Sequence, residues 1–554
     1  MRHNYFSGVR IPCILIAVFV LLGFFSYLKK SATYDEVQHF PCGAAYWKLK
    51  TFCFGLEHPP FLRLWAALPA VWTKVTLPEQ TGLERCDRTS LAAWDFKIDY
   101  EFGYKFLYEE KNAGLLNYGR FLILLLAVPL GWVIYKWACS LYGEKKALLS
   151  LSLFAFCPNL LAHARLVTTD FGGTVFIFLG AFFLLRFFKN PSRRTALFSG
   201  VSWGLALSGK FNAVFLGLFF AAAGIIFYGR KKHVPGLLLQ AVLVWLVINL
   251  SYFFSEPVLK HWFLKKELEI FFPQQVSQTL RNILYWVPLP DMWLRGFMYA
   301  FLHGQSAVTS YFLGKISQGG TWYYYPALFF LKTPLVTQLF LLLAVLSVSK
   351  KKVSREEWYY LIPPLIYSVF LLKAKINLGI RHFLPVYPFL YLFAGRLEWK
   401  KAFPYLLALL FISNLRSFPH YLAYMNIFVS RDNAWKYVDD SNLDWGQDLG
   451  LAAEFLKKEG NPPVYLTYFG TASPDYYDLR YEDFYSVSIV KHLWHPQPLD
   501  GPPRYWIVSC TNLSGRYYGR SLFGELEKLT PVKTAGHSVK IYDLKGGDIR
   551  LAPR

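Results

Sequence analysis

The sequence is poor in charged residues, and poorest in acidic ones. Only 17% of its 554 residues are Asp, Glu, Lys or Arg, against about 25% in soluble domains, while 54% are hydrophobic. A chain with so little charge cannot present a polar surface to water on all sides, which excludes an ordinary soluble protein. The composition predicts a polytopic α-helical membrane protein.

Acidic residues number 36 against 59 basic ones, which gives a net charge of +23. In a soluble chain this excess would suggest binding to nucleic acid. Here the Lys and Arg residues occur in short clusters between apolar runs, a spacing typical of membrane topology. No nucleic-acid partner is therefore predicted.

Cysteine is also scarce. The seven cysteines are too few and too widely spaced for a disulfide scaffold, and no zinc-binding pattern is present. Cys42, Cys53 and Cys86 fall in segments predicted to lie outside the cytoplasm, where disulfides form. A Cys42–Cys53 bridge therefore stays open.

Long apolar runs dominate what is present. A membrane span needs roughly 20 mostly apolar residues, and the sequence offers about eleven such runs. Their centres lie near Val20, Leu126, Leu153, Leu179, Leu205, Phe219, Val244, Leu339, Leu365, Leu390 and Leu409. The first run could instead be a signal peptide, although no small-residue cleavage site follows it.

The basic clusters predict the orientation of these spans. They fall on one side if the chain alternates from its start: Arg2/Arg10, Lys145/Lys146, Arg193/Arg194, Arg230/Lys231/Lys232, Lys350/Lys351/Lys352 and Lys400/Lys401. The positive-inside rule makes that side cytoplasmic, with Lys29 and Lys30 as an exception on the outer side of the first span. We therefore predict a multi-pass protein of the cell (inner) membrane with a cytoplasmic N-terminus.

The chain divides into two predicted parts. Residues 1–419 form the multi-span domain, with long outer loops at 31–117 and 255–325. From residue 420 the composition becomes ordinary, with a helix predicted over 447–458 and strands over 464–469, 505–510 and 539–544. Residues 420–554 are therefore predicted to form a small α/β domain outside the cytoplasm.

Acidic residues occur at three places near the outer ends of predicted spans. Asp35 and Glu36 follow the first span, Glu57-His58-Pro59-Pro60 comes shortly after, and Asp170 stands where a later outer turn enters a span. An isolated Asp-Glu pair at a membrane boundary usually has no special role. Because all these acids share one predicted depth, we expect them to line one cavity.

Cations occur at the same predicted depth. Lys210 lies on a very short turn between two spans, and Arg381-His382 occupies a similar place. A charge near membrane depth costs roughly 2.5 to 3.5 kcal/mol, so it usually has a partner, although snorkelling to the interface is the alternative. Together these cations predict a phosphate site. A carboxylate base beside cations that hold a departing lipid phosphate suits an inverting displacement at an anomeric carbon.

These motifs bring a family resemblance. The relevant stretches are Asp35-Glu36, Glu57-His58-Pro59-Pro60, Thr168-Thr169-Asp170, residues 377–388 and the Asp-rich residues 440–448. They resemble the bacterial family 39 glycosyltransferases, which are similar to protein O-mannosyltransferases and lipid A aminoarabinose transferases and have the multi-span GT-C fold. The resemblance implies a sugar donor carried on polyprenyl phosphate, a protein, lipid or glycan acceptor, and surrounding membrane lipids.

Carried over to this sequence, the resemblance makes Asp35 the acceptor-activating base and gives Glu57 the role of positioning the acceptor or a divalent ion. It matches Asp170 to a further acidic position of the active cavity, and Lys210 and Arg381 to places that hold the donor phosphate. From their neighbouring positions, Glu36 is predicted as a further catalytic residue, His382 as a phosphate-binding residue and His58 as an acceptor-positioning residue. Two departures, His58 and Gln38, stand where aminoarabinose transferases have basic residues. They argue against aminoarabinose and lipid A as the substrates.

A metal ion stays an open question. Glu57, His58 and His382 could supply oxygen and nitrogen ligands, but their spacing matches no recognised motif, and the resemblance implies no cofactor for the chemical step. We predict no required cofactor, with a divalent ion as the alternative.

A transporter and a binding protein fit the sequence less well than a glycosyltransferase does. A transporter or flippase should place ionisable residues near mid-span on broken helices, and one built from paired halves should show an internal repeat. In this sequence the ionisable residues lie at the outer ends of predicted spans, and no internal repeat is seen. A binding protein would depend on its soluble tail, which offers no compact nucleophile or metal set. Residues 439–448 are predicted to be a helix-capping turn, with Asp444 or Asp448 at the helix N-terminus. The alternatives are direct catalysis and a role in closing the cavity or presenting the acceptor.

Overall fold

The computed structural model describes residues 5–79, 95–255, 275, 277–279, 289–519, 523, 526 and 529–544. Its α-helices are α1 (Tyr5–Tyr27), α2 (Glu36–Leu49), α3 (Phe61–Ala66), α4 (Pro69–Trp72), α5 (Phe96–Tyr104), α6 (Leu116–Leu125), α7 (Ala127–Tyr142), α8 (Glu144–Ala155), α9 (Pro158–Ala164), α10 (Thr169–Lys189), α11 (Arg193–Leu207), α12 (Ala213–Tyr228), α13 (Val234–Ser251), α14 (Asp291–His303), α15 (Tyr324–Lys332), α16 (Leu335–Leu346), α17 (Arg355–Leu372), α18 (Tyr387–Ala394), α19 (Phe403–Leu415), α20 (Leu449–Lys458) and α21 (Cys510–Leu513). A 3-10 helix, Ile380–Val386, precedes α18.

Helices long and apolar enough to cross a membrane confirm that this is a membrane protein. Within the described residues they are Val9–Tyr27, Ala113–Tyr142, Thr169–Lys189 and Lys231–Ser251, and two bent helix pairs also qualify. Each of the eleven predicted centres lies in a helix or, for Leu126, at the junction of α6 and α7. The count of about eleven spans stays a prediction.

Proline accounts for the bends in the two broken pairs. Pro158 begins α9 after α8, where the helix axis turns by 59°, and Pro334 separates α15 from α16, where it turns by 117°. Proline has no N–H to continue the helical hydrogen bonds and clashes with the preceding turn. Both breaks therefore follow directly from the sequence.

Helix α10 occupies the centre of the helical part. Most of its residues are buried, and it packs against α7, α11, α12 and the 3-10 helix Ile380–Val386. Its first turn contains Asp170, where the helix dipole favours a carboxylate. The start of α10 thus brings an acidic side chain close to the loop that carries Arg381.

The C-terminal part contains a five-stranded sheet. Its strands are β3 (Val464–Thr467), β4 (Tyr481–Asp483), β5 (Tyr505–Ser509), β6 (Lys533–Ala535) and β7 (Val539–Asp543), while β1 (Thr309–Phe312) and β2 (Lys315–Gln318) form a separate hairpin. The order is β4-β3-β5-β7-β6, with β4, β3 and β5 parallel and the β5–β7 and β7–β6 pairs antiparallel. The predicted helix and three strands are confirmed with shifts of one or two residues.

The C-terminal part is joined closely to the first loop. Ser31 N–H donates to the Gln447 carbonyl at 2.9 Å, and the buried Lys30 ammonium forms an ion pair with Asp448. Such buried pairing between segments 418 residues apart fixes the sheet against the helices. The predicted boundary at residue 420 stays a prediction.

The disulfide left open by the sequence is not formed. Cys53 is disulfide-bonded, but Cys42 is a buried thiol within α2. The Cys42–Cys53 pairing is therefore wrong.

Candidate active site

Seven of the eight predicted site residues line one cavity of about 520 Å³. They are Asp35, Glu57, His58, Asp170, Lys210, Arg381 and His382. The other lining residues include Gln38, His39 and Tyr100. Residues that are hundreds of positions apart in the chain therefore meet at one site.

Short connecting segments place the charged side chains. Asp35 is the residue before α2, Asp170 lies in the first turn of α10, and Lys210 lies between α11 and α12. Arg381 is the second residue of the 3-10 helix Ile380–Val386, which follows Gly379 at φ +97°. Each of these residues lies at or next to the end of a helix, and its side chain lines the cavity.

Asp35 and Arg381 form an ion pair at the centre of the cavity. Nη1 of Arg381 lies 2.7 Å from Oδ2 of Asp35, and the Tyr100 hydroxyl lies 3.4 Å from Oδ1. Burial raises the pKa of Asp35; Arg381 opposes this rise, and the nearby Asp440 and Asp170 carboxylates add to it. A carboxyl group with a raised pKa is a better proton acceptor than an ordinary aspartate.

A second ion pair lies beside the first. The Lys210 ammonium bonds to Oδ1 of Asp170, and both side chains are almost fully buried. Oδ2 of Asp170 lies 3.9 Å from Nη1 of Arg381, so Arg381 faces two carboxylates at once. The two cations and two acids form one connected network rather than two isolated pairs.

Arg381 and His382 have hydrogen-bonding nitrogens that the described part of the protein does not use. Arg381 donates from Nε to the Leu378 carbonyl at 3.0 Å and from Nη1 to Asp35, and among the described residues Nη2 has no acceptor. The buried Nε2 of His382 also makes no hydrogen bond within the described part of the chain. Buried polar groups are usually satisfied, so unused groups that face a cavity indicate a polar ligand.

Glu57 is held by an arginine that the sequence reasoning missed. Arg63, 1% exposed, pairs with Oε1 of Glu57 and donates to the Gly55 and His58 carbonyls and to His39 Nδ1, the last at 2.8 Å. Oε2 of Glu57 is buried without a hydrogen-bond partner among the described residues. Arg63 therefore fixes the Glu57-His58 loop and leaves one carboxylate oxygen for a ligand.

His58 is neutral in this setting. Burial lowers its pKa well below the usual value, and the Arg63 and Lys210 cations lower it further. Of the groups near it, the carboxylate of Asp170 opposes the shift. His58 can therefore exchange hydrogen bonds with a ligand but does not add positive charge at neutral pH.

Glu36 does not line the cavity, although it adjoins Asp35 in sequence. Its carboxylate is fully buried and accepts from Arg120 Nε at 2.8 Å, Arg120 Nη2 at 2.6 Å, Thr33 N at 2.9 Å and Val167 N at 2.9 Å. Successive residues at a helix start point about 100° apart, so only one of the two acids can face the site. Every contact of Glu36 is to the protein scaffold.

The 439–448 segment ends at the helix start, as its sequence predicts, with Asp448 at the N-cap of α20, but its side chains do not cap the helix. Asp448 precedes α20 but makes no side-chain cap bond; it pairs with Lys30 and accepts from Ser538 Oγ at 2.6 Å. Asp444 accepts from Thr511 N at 2.9 Å. Asp448 therefore connects the C-terminal part to the first loop through Lys30, whereas Asp444 joins two segments within the C-terminal part.

Several functional neighbours gave weak signals in the sequence or none. Arg63 is a single cation in an otherwise apolar stretch, which was a usable signal for a buried partner. Tyr100 sits in an aromatic-rich loop and gave no signal. Within the described residues, no group of three or more His, Cys, Asp or Glu side chains could hold a metal ion.

Comparison with known proteins finds one family whose model matches part of the chain. The model of the dolichyl-phosphate-mannose-protein mannosyltransferase family matches residues 117–253, about a quarter of the chain. A search of curated protein sequences finds no match.

Solved structures offer distant likenesses. The chain is similar to ArnT from Cupriavidus metallidurans bound to undecaprenyl phosphate, at 12% identity and a TM-score of 0.49 over 98% of this chain and 99% of that one. It is similar to the Archaeoglobus fulgidus oligosaccharyltransferase in its apo form, at 12% identity and a TM-score of 0.44 over 75% and 55%. It is also similar to AglB from that organism in complex with an inhibitory peptide and a dolichol-phosphate, at 10% identity and a TM-score of 0.43 over 93% and 71%. Of these comparisons, the family-model match confirms the predicted resemblance to protein O-mannosyltransferases, over residues 117–253.

Proposed function

We propose that this protein is a membrane glycosyltransferase that moves a sugar from a polyprenyl-phosphate donor to an acceptor. The observation that carries the proposal is the partly buried Asp35–Arg381 pair, 2.7 Å apart, in a cavity that also holds Lys210 and His382. A proton acceptor beside cations with unused donors is what transfer from a phosphate-linked sugar requires. The family match at residues 117–253 supports the same class of enzyme.

The donor phosphate would bind at the cationic side of the cavity. Arg381 can offer Nη2, and the Lys210 ammonium can offer donors beyond the one it uses on Asp170. Charge-assisted bonds from guanidinium and ammonium groups are about twice as strong as neutral ones. They would stabilise the negative charge that develops on the leaving phosphate.

Asp35 would act as the general base. The acceptor hydroxyl or amine gives its proton to Asp35 as its oxygen or nitrogen bonds to the anomeric carbon. The bond between that carbon and the phosphate oxygen breaks, and its electron pair leaves with the polyprenyl phosphate. Attack opposite the phosphate inverts the anomeric centre. A phosphate that shares the charge of Arg381 also makes Asp35 more basic, because it weakens the stabilisation of the ionised carboxylate.

Asp170 would hold the two phosphate-binding cations beside each other. Its two oxygens face Lys210 and Arg381, and its own side chain is buried. Two cations this close would repel each other without a carboxylate between them. The fixed charges of Lys210 and Arg381 supply the electrostatic role that a divalent ion has in other phosphate sites, so we propose that the chemical step needs no metal.

The acceptor would bind to the other polar groups of the cavity. Glu57 Oε2, His58 and Tyr100 line it, and each can exchange a hydrogen bond with a hydroxyl or amine. His58 and Gln38, which depart from the aminoarabinose transferases, both line the cavity. We therefore propose a sugar other than aminoarabinose and an acceptor other than lipid A.

The basic clusters support a location for this chemistry on the outer face of the cell (inner) membrane. They fall on the opposite side of the predicted spans from the segments that carry Asp35, Lys210 and Arg381. The C-terminal sheet and the cavity then share the extracytoplasmic side. Donor lipids would reach the site from the surrounding bilayer.

The decisive experiment is sugar transfer in liposomes from a panel of labelled polyprenyl-phosphate sugars. Wild type is compared with Asp35→Asn, and the exposed Asp95→Asn at the start of α5 serves as a matched control outside the cavity. We expect transfer by wild type and Asp95→Asn, and a rate at least about 100-fold lower for Asp35→Asn. Normal transfer by folded Asp35→Asn would overturn the mechanism.

A transporter or flippase is the second candidate, favoured by the 117° break between α15 and α16. The same liposomes test it. If no donor in the panel is consumed while a lipid-linked or anionic solute changes sides, transport replaces transfer as the function.

A further inference from the structure

A segment of the C-terminal part contacts both loops that carry the central ion pair. We call residues 441–447 the clamp segment; they read Ser441-Asn442-Leu443-Asp444-Trp445-Gly446-Gln447. Ser441, Asn442 and Trp445 are almost fully buried. Their contacts explain why this run of polar residues lies inside the protein.

On one side the clamp segment holds the loop of Arg381. Ser441 Oγ donates to the Leu378 carbonyl at 2.8 Å, and Asn442 Oδ1 accepts from Ile380 N at 2.9 Å. A Cβ added at Gly379 would overlap Ser441 Oγ, so glycine is needed between these two anchors. Arg381 therefore emerges from a backbone that the clamp segment fixes on both sides of Gly379.

Tyr324 extends this hold. Its hydroxyl accepts from Gly379 N at 3.0 Å and from Asn442 Nδ2 at 2.9 Å. The buried Lys332 ammonium donates to the Asn442 carbonyl. Asn442 is thus tied through its side chain and its backbone, which leaves it a single orientation.

On the other side the clamp segment holds the loop of Asp35. Tyr34 N donates to the Trp445 carbonyl at 2.8 Å, and Ser31 N donates to the Gln447 carbonyl at 2.9 Å. Tyr34 immediately precedes Asp35, just as Ile380 immediately precedes Arg381. The same short segment therefore bonds to the residue before each member of the ion pair.

Trp445 adds a direct contact to the arginine. The Arg381 guanidinium carbon lies 4.4 Å from the centroid of the Trp445 indole, which is 2% exposed. Tryptophan is the best aromatic partner for a cation, and the attraction strengthens when water is excluded. Arg381 is held by the ring of Trp445 and by the Asp35 carboxylate, which together fix the direction of its remaining donors.

We propose that the clamp segment is part of the active site, and that Trp445 is a positioning residue for Arg381. It sets the distance between the base and the phosphate-binding cation and aims the free donors of Arg381 into the cavity. The C-terminal part is therefore required for donor binding and is not a separate module. The assignment of Arg381 to the donor phosphate rests on the function proposed above.

The test measures binding of undecaprenyl phosphate to the full-length detergent-purified protein. Trp445→Phe keeps a smaller ring, and Trp445→Met removes the ring but keeps apolar bulk. Trp435→Met is the matched control: Trp435 is also buried, lies near Lys436 and Lys540, and is outside the cavity lining. Thermal unfolding is recorded for each variant, so that loss of fold is separated from loss of affinity.

We expect Trp445→Met to bind about 10-fold more weakly, in keeping with a desolvated cation–π contact, and Trp445→Phe about 2- to 3-fold more weakly. Trp435→Met should keep the wild-type affinity in its folded fraction. If Trp445→Met does not fold, Trp445→Phe decides: its expected weakening supports the clamp, and wild-type affinity refutes it.

Equal affinity of wild type and folded Trp445→Met would overturn the inference, as would equal losses in Trp445→Met and Trp435→Met. The proposed function fails separately. If wild type itself binds no undecaprenyl phosphate and transfers no sugar, the donor assignment is wrong whatever the variants do.

Discussion

Arg381 Nη1 lies 2.7 Å from Asp35 Oδ2, across 346 residues of chain. The same nitrogen lies 3.9 Å from Oδ2 of the buried Asp170, so one guanidinium balances two carboxylates. Removal of this charge would leave both acids without their shared partner. The site should therefore depend on Arg381 more than on any other single cation.

Substitution of Arg381 tests this dependence. Arg381→Gln should weaken undecaprenyl-phosphate binding about 30-fold, since truncation of one member of a buried charge pair costs about 2–5 kcal/mol and the partly buried Arg381 falls at the low end of that range. Arg381→Lys should recover part of the loss, because lysine keeps the charge but cannot form a planar fork or stack on Trp445 in the same way. Both affinities can be measured by titration in detergent. Equal binding by Gln and Lys variants would show that charge at this position is not used.

The pH dependence of transfer should report the raised pKa of Asp35. The base must be ionised, so the rate should fall as pH decreases through its folded pKa, which lies above the ordinary aspartate value of 3.8. The free energy of unfolding should change with pH in the opposite direction to the rate. Because the pKa of Asp35 is higher in the folded than in the unfolded protein, the stability that its protonated form contributes is lost as pH rises through the folded pKa. Rate–pH profiles of wild type and Arg381→Lys in liposomes check this. An acid limb centred at or below 3.8 would contradict it.

Much of this architecture follows from local sequence rules. Apolar runs of span length predict helices, and Pro158 and Pro334 mark the breaks between them. The meeting of Lys210 and Arg381 with acidic residues was predictable because an unpaired charge near membrane depth is costly. The sequence could therefore predict which residues share a cavity, at least for charges at span ends.

The exact pairing was not predictable. Asp35 takes Arg381 and Asp170 takes Lys210 because of how the loops pack, and no local pattern encodes that choice. The role of Trp445 was not predictable for the same reason. Its partner Arg381 lies 64 residues earlier in the chain, and an Asp-rich stretch before a helix is typical of a helix cap. At Trp445 and Asp448 long-range contacts with Arg381 and Lys30 outweigh the local preference for a cap.

Glu36 should behave as a structural residue, unlike its neighbour Asp35. Glu36→Gln would leave the buried Arg120 guanidinium without a carboxylate, which costs about 3–5 kcal/mol. We expect a large fall in the thermal unfolding temperature and, in the protein that remains folded, near-normal affinity for undecaprenyl phosphate. Asp35→Asn should show the reverse pattern, with lost transfer and a retained fold.

The double variant Glu36→Gln/Arg120→Met sharpens this test. It removes both charges and should recover part of the lost stability, because no uncompensated buried ion is left. Thermal melts of the two single variants and the double variant form the cycle. If Glu36→Gln melts like wild type but transfers no sugar, Glu36 belongs to the catalytic machinery after all.

Gly55 should be indispensable to the position of Glu57. It adopts φ +62°, and an added Cβ would overlap the Arg63 guanidinium that holds the Glu57-His58 loop. Gly55→Ala therefore combines backbone strain of about 1–3 kcal/mol with displacement of Arg63. We expect a lower transfer rate and weaker acceptor saturation, while undecaprenyl-phosphate affinity changes little because Lys210 and Arg381 are untouched. Gly114→Ala is the matched control, since its added Cβ would meet open space. Equal transfer by the two alanine variants would remove Arg63 and Glu57 from the acceptor side of the site.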